Sequence, residues 1–178
     1  MSAQKSPMNM AMYGGGVMGV ALIIFSLLTW ILGLPMNHWS NSVITYGILI
    51  GGAYYFIKQY RDQELGGYMS YGQVVGAGTL ISVFASLLFD FYFWIYLSFL
   101  NSDAINQIKE QAYEQAIAMG QTEEQAIQGM EMMNFMYSPG GMVIMGFFST
   151  VFMGFIIALI LGIFLRKNNP NPFEGSEA

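Results

Sequence analysis

Apolar positions in this chain come in long blocks, and polar residues collect between them instead of alternating along a strand or marking one side of a short helix. Four blocks approach the roughly 20 mainly apolar residues that a helix needs to cross a bilayer: residues 12–34, 41–60, 73–100 and 139–165. The second is the weakest, because its strictly apolar part, Val43 to Ile57, is short; it suffices only with Tyr54, Tyr55 and Phe56 in an interfacial aromatic belt. The first reads as an uncleaved span. Its apolar run is too long for a signal peptide, Lys5 alone stands for a basic leader, and no small-x-small cleavage site follows before Pro35.

The blocks are punctuated by helix signals. Ser6–Pro7 and Ser138–Pro139 each place a capping side chain before a proline, whose missing N–H costs nothing at the first helical position. In the connection "RDQELGGYMSYGQ", Gly66 suits the left-handed residue that ends a helix, and Ser70 with Gln73 has capping-box spacing for the start of the next. Residues 101–138 predict an amphipathic helical hairpin between the third and fourth spans. Ile105, Ile108, Ala112, Ala116 and Met119 follow helical spacing, Gly120 ends that helix, Thr122 and Gln125 form a second capping box, and a further helix carries Ile127, Met130, Met133 and Met136 or their neighbours.

Charge gives the blocks a direction. Lys5, Lys58, Arg61, Arg166 and Lys167 fall on one side of a four-span arrangement and Lys109 alone on the other, so the positive-inside bias places both termini in the cytoplasm. The chain is 54% hydrophobic and 10% charged with net charge −5, which opposes nucleic-acid binding, since no basic patch is present to neutralise phosphates. Cysteine is absent, which excludes disulfides and thiol chemistry.

Candidate chemistry is sparse. Asp90 is the one ionisable residue inside a span, and it shares a helix face with Gly78, Ser82 and Ser86 at successive four-residue steps. Two readings stay open. It is a proton or cation site, or it marks the outer end of the span, with Phe91, Tyr92, Phe93, Trp94 and Tyr96 as the aromatic belt. Small residues recur at four-residue spacing: Gly15 and Gly19, Gly47 and Gly51, and Gly146, Thr150, Gly154, Ala158 and Gly162. They pack the bundle internally or form a face for a second copy or partner. In the cytoplasmic connection, Glu64, Gly67, Tyr68 and Tyr71 are not explained by capping or side selection. They are interfacial anchors or a docking point for a lipid or protein.

The acidic residues of the hairpin, Asp103, Glu110, Glu114, Glu123, Glu124 and Glu131, read as a solvated face, with calcium-loop spacing absent. Its methionine side suits a partner or the membrane surface. His38, beside Trp39, has no sequence neighbour that would make it a metal ligand or base. Phosphate-loop, zinc-protease and nucleophile-elbow motifs are absent, and the glycines at 72, 76 and 78 follow no strand. No internal repeat is evident, and the tail, residues 168–178, has a disordered composition. No cofactor is expected.

The run "YRDQELGGYMSYGQVVGAGTLIS", followed by a long apolar span, an acidic helical segment and "SPGG" before the last span, resembles the bacterial membrane family called domain of unknown function 4199, over roughly Pro7 to Lys167. The resemblance implies a small multi-pass inner-membrane protein of the Bacteroidota type, without an assigned activity. The expected fold is therefore all-α: an integral membrane four-helix bundle within a single domain, residues 1–167, with an external helical hairpin. The leading functional reading is a non-enzymatic structural or accessory subunit whose environment is the lipid bilayer. A small channel or proton-linked transporter using Asp90 is the alternative. A lipid-modifying enzyme dependent on Glu64, Tyr68 or Tyr71 is the third.

Overall fold

The computed structural model describes residues 6–34 and 39–168; the expectations for Lys5, Pro35, His38 and the tail from Asn169 onward lie outside the described residues. Among the described residues the fold is all-helical: α1 (Pro7–Ile31), α2 (Trp39–Glu64), α3 (Tyr71–Ile95) with a π-helical continuation (Tyr96–Leu100), α4 (Asp103–Ala118), α5 (Glu123–Met132) and α6 (Pro139–Leu165). Extended pairing among the described residues is confined to one antiparallel bridge, Met69 with Lys167.

The helix ends follow the expected punctuation. Ser6 accepts a hydrogen bond from Asn9 N–H at 3.3 Å ahead of Pro7, and Ser138 Oγ accepts from Gly141 N–H at 3.0 Å ahead of Pro139. Ser70 and Gln73 exchange bonds at 3.3 and 2.8 Å, and Thr122 and Gln125 at 3.3 and 3.0 Å. Gly66, Gly67 and Gly120 all adopt positive φ, a conformation that side chains with a Cβ rarely adopt. One expected helix is shorter than its spacing predicts: α5 stops at Met132, and residues 133–137 form turns, so Met133 and Met136 do not continue a helical face. The cause is the start of α6. Ser138 Oγ donates to Phe135 O at 2.6 Å while capping α6, and Gly141 lies so close to the Phe135 carbonyl that a Cβ there would collide with it.

Among the described residues, three helices are long and apolar enough to cross a membrane: α1 (25 residues), α3 with its continuation (30 residues) and α6 (27 residues). Large apolar side chains point outward along them, among them Ile24, Leu87, Phe91, Phe148, Phe152 and Ile163. So much exposed apolar surface suits lipid, not water. α2 is 26 residues long but polar at both ends, starting at Trp39–Ser40–Asn41–Ser42 and ending with Lys58 through Glu64.

The chain forms two compact units, Met1–Phe89 with Thr150–Ala178, and Asp90–Ser149. In the first, glycines set the helix register. A Cβ at Gly14 would lie 2.9 Å from the Phe56 ring and one at Gly52 2.7 Å from Met18, so α1 and α2 run antiparallel along each other. Gly15 meets Ile81 O and Ala85 N, and Gly19 meets Ala85 O and Leu88, so α3 runs parallel to α1. Gly78 faces Ala158, and Gly154 faces Ser82, which makes α6 antiparallel to α3. Ile57, Val74, Ile81, Ala85 and Ala158 fill the space between. In the second unit, Tyr96, Leu97 and Ala104 form a small core with Tyr92, Phe93, Ile105 and Met142 packed on it. Tyr96, one member of the expected aromatic belt, is thus buried, whereas Phe91 and Trp94 face outward.

Candidate functional site

Two sets of residues carry the candidate chemistry, and helix register positions both. The first is the polar side of α3. In the larger unit Ser82 and Ser86 are buried, and Ser82 Oγ donates to Gly78 O one turn earlier at 3.0 Å. Its hydroxyl occupies space that Gly154 on α6 leaves open. In the smaller unit Asp90 is 5% exposed, and a Cβ added at Gly146 would lie 3.3 Å from its Oδ1. The glycines of α6 therefore serve as recesses for polar side chains. Among the described residues no buried side-chain nitrogen or oxygen lacks a hydrogen-bond partner. A carboxyl in this setting can bond across a helix pair or exchange a proton, both of which lower the cost of its burial.

Beyond Asp90 the helix widens into the π-helical segment, closed by Asn101 N–H donating to Tyr96 O at 2.8 Å, while Asn101 Nδ2 donates to the Tyr96 hydroxyl at 2.8 Å. Phe93 stacks on Tyr96 with centroids 6.0 Å apart. Widened turns of this kind are frequent at functional positions.

The second set is the α2–α3 connection, which the fold ties to the end of α6. Arg61 Nη1 donates to the carbonyl of Leu165, the last residue of α6, at 3.0 Å, and Arg61 Nε pairs with Asp62 at 2.7 Å. That hydrogen bond raises the Arg61 pKa above its usual value and lowers that of Asp62 below the ordinary carboxylate value. A guanidinium at a helix C-terminus satisfies an orphan carbonyl and opposes the negative end of the dipole. Met69 and Lys167 exchange backbone bonds at 2.9 and 2.8 Å, and Lys167 Nζ lies 5.5 Å from the centre of the Tyr68 ring. Tyr71 donates its hydroxyl to Leu159 O at 3.2 Å and lays its ring over Gly162.

Of the candidate docking residues, Tyr68 and Tyr71 are thus engaged within the chain, Gly67 holds the turn, and Glu64 closes α2. Gly15, Gly19, Gly146, Gly154, Ala158 and Gly162 all meet neighbouring elements, while Gly47 and Gly51 have nothing within 4 Å of where a Cβ would stand. Gly14 and Gly52, which stand outside the four-residue stripes, make the α1–α2 contact. Their only signal is adjacency, in "GGG" and "GG". Arg61 was legible only as a charge marking the inner side; its bond to Leu165, 104 residues away, has no local signature. Among the described residues, no three acidic or histidine side chains gather closely enough to hold a metal ion.

Taken together, all-helical structure, three helices able to cross a bilayer and outward-facing apolar rows define a protein of membrane-helix class. The chain belongs to the family described as Protein of unknown function (DUF4199), whose profile matches residues 14–167. No curated protein and no solved structure matches it.

Proposed function

We propose that this is a four-span inner-membrane protein with both termini cytoplasmic, acting as a non-enzymatic structural or accessory subunit of a membrane assembly. α2 is its fourth span. Its antiparallel run against α1, from the Gly14–Phe56 contact to the Met18–Gly52 contact, supports this reading. At 1.5 Å per residue its 26 residues reach about 39 Å, enough for a hydrocarbon core of about 30 Å. The observation that carries the accessory role is the open face of α2. Gly47 and Gly51 are exposed beside Ile44, Ile50 and Tyr54, whereas Gly15 and Gly19 of α1 and Gly146, Gly154 and Gly162 of α6 meet neighbouring residues within the chain. Small residues on an outward apolar face let another membrane helix approach closely.

Crosslinking in native membranes, followed by purification in mild detergent, tests this role. A neighbouring membrane protein or a second copy is expected with the unaltered chain, and Gly47→Leu with Gly51→Leu removes it without loss of folded protein. A lone monomer before any substitution contradicts the role. The burial of Asp90 beside Gly146 favours a second reading, a small proton-linked channel or transporter. It requires liposome flux that falls in Asp90→Asn; absent or unchanged flux removes it.

A further inference from the structure

Within the larger unit, the start of α1, the last turns of α2 and the start of α3 enclose a half-open cleft of about 440 Å³, inside the roughly 300–1,000 Å³ range of small-molecule sites. Leu65, Met69, Ala77 and Leu80 give it an apolar wall. Tyr60 lines it as well, and this residue carries its chemistry. Tyr60 is 5% exposed, yet its hydroxyl makes no hydrogen bond among the described residues. Since no fully enclosed side-chain oxygen among those residues lacks a partner, the hydroxyl reaches the open space that Tyr60 lines.

Two capping residues complete the polar side. Ser6 Oγ accepts from Asn9 N–H at 3.3 Å and Gln73 Oε1 accepts from Ser70 N–H at 2.8 Å, so in both the acceptor is engaged in starting a helix. What each still offers is a donor, the Ser6 hydroxyl hydrogen and the Gln73 carboxamide N–H. α1 and α3 run parallel and both begin here, with no acidic residue in either first turn, so their positive dipole ends share this rim. Together with Tyr60 the cleft presents three donors beside an apolar wall. The complementary group is an oxygen acceptor on an otherwise apolar molecule. A neutral carbonyl meets these donors without the cost of burying a charge. A cation at the rim would add to the same preference, so the recognition does not require that one be absent.

We propose that this cleft binds the carbonyl end of a lipid-soluble molecule, a quinone ring or the ester region of a glycerolipid, with Tyr60 and Gln73 as donors and Leu65, Met69 and Leu80 against its apolar part. Such a molecule comes from the bilayer, since α1 and α3, whose starts frame the cleft, are both long and apolar enough to cross a membrane. The site is independent of the accessory role and of Asp90.

Native mass spectrometry of the full chain in neutral detergent tests it with two matched pairs of probes: menadione against methylnaphthalene, and dioleoylglycerol against its dialkyl ether, each second member lacking the carbonyls. In at least one pair the carbonyl member is expected to be retained about five-fold better or more, the size of one neutral hydrogen bond, and the pair that discriminates names the source, quinone or glycerolipid. Tyr60→Phe keeps the ring and removes the donor, and is expected to lower that retention about five-fold, while Tyr68→Phe, the same change outside the cleft, leaves it unaltered. Gly76→Phe, where a Cβ meets nothing within 4 Å, is expected to fill the cleft and abolish retention. Equal retention within both pairs overturns the proposal, as does retention that survives Tyr60→Phe or Gly76→Phe undiminished.

Discussion

Arg61 and Tyr71 stand in the same connection and hold the same helix by different means. Arg61 caps the last carbonyl of α6, while Tyr71 covers Gly162 and donates to Leu159 O a turn and a half earlier. Replacing Arg61 with alanine leaves the Leu165 carbonyl without this donor and should lower detergent stability by about 1 kcal/mol, measured as a fall in the thermal unfolding midpoint. Tyr71→Phe removes one hydroxyl bond and should cost less than Gly162→Leu, which displaces the ring itself. The Arg61–Asp62 bond also sets a pH dependence. Because the folded carboxyl titrates below its ordinary value of 3.8, its contribution is complete above about pH 3.8 and is lost as the pH falls through the lower folded value. Across that window the unaltered chain should lose stability more steeply than Asp62→Asn; parallel curves would show that the pair contributes nothing. Sequence marked Arg61 as a basic residue on the inner side, and it marked Tyr68 and Tyr71 as unexplained. It did not reveal their partners, because a bond spanning 104 residues depends on which helices become neighbours.

At the scale of helices, the capped starts are readable and the faces are not. Ser6–Pro7, Ser70 with Gln73, Thr122 with Gln125, and Ser138–Pro139 act within a few residues of themselves, so their spacing alone reveals them. Small-residue stripes show only that a helix can be approached closely. In α1 the expected Gly15 and Gly19 do meet α3, yet Gly14 meets α2, so adjacent glycines serve two different neighbours. In α2 the contact falls on Gly52, leaving Gly47 and Gly51 open. The end of α5 departs from its spacing for a related reason, since the cap of α6 reaches back to Phe135 and stops a helical pattern that methionine spacing would continue. These differences separate two kinds of glycine. Leucine at Gly15 or Gly154 would overlap backbone or a buried serine and should cost about 1–3 kcal/mol or prevent folding, measured by the yield of monodisperse protein in detergent. Leucine at Gly47 should fold with normal yield. Equal losses at all three positions would mean that the α2 face is covered.

For the whole chain, the decisive question is whether α2 crosses the membrane beside α1, α3 and α6. Three crossings and four crossings differ in one consequence, the relation between the two ends. With four, the start of α1, the α2–α3 connection and the end of α6 lie on one side and the α4–α5 hairpin on the other. With three, the start of α1 joins the hairpin's side and the end of α6 opposes it. The bond between Arg61 and Leu165 and the bridge between Met69 and Lys167 hold the connection against the end of α6, and Asn9 near the start of α1 lines one cleft with Gln63 near the end of α2. Because cysteine is absent, single substitutions give an unambiguous label. Ser2→Cys, Gln63→Cys, Gln121→Cys and Asn168→Cys, each probed with a membrane-impermeant maleimide on intact cells and again after permeabilisation, make the measurement. The four-span arrangement predicts labelling of intact cells at Gln121→Cys alone, with the other three reacting only after permeabilisation. Labelling of Ser2→Cys together with Gln121→Cys on intact cells would contradict it.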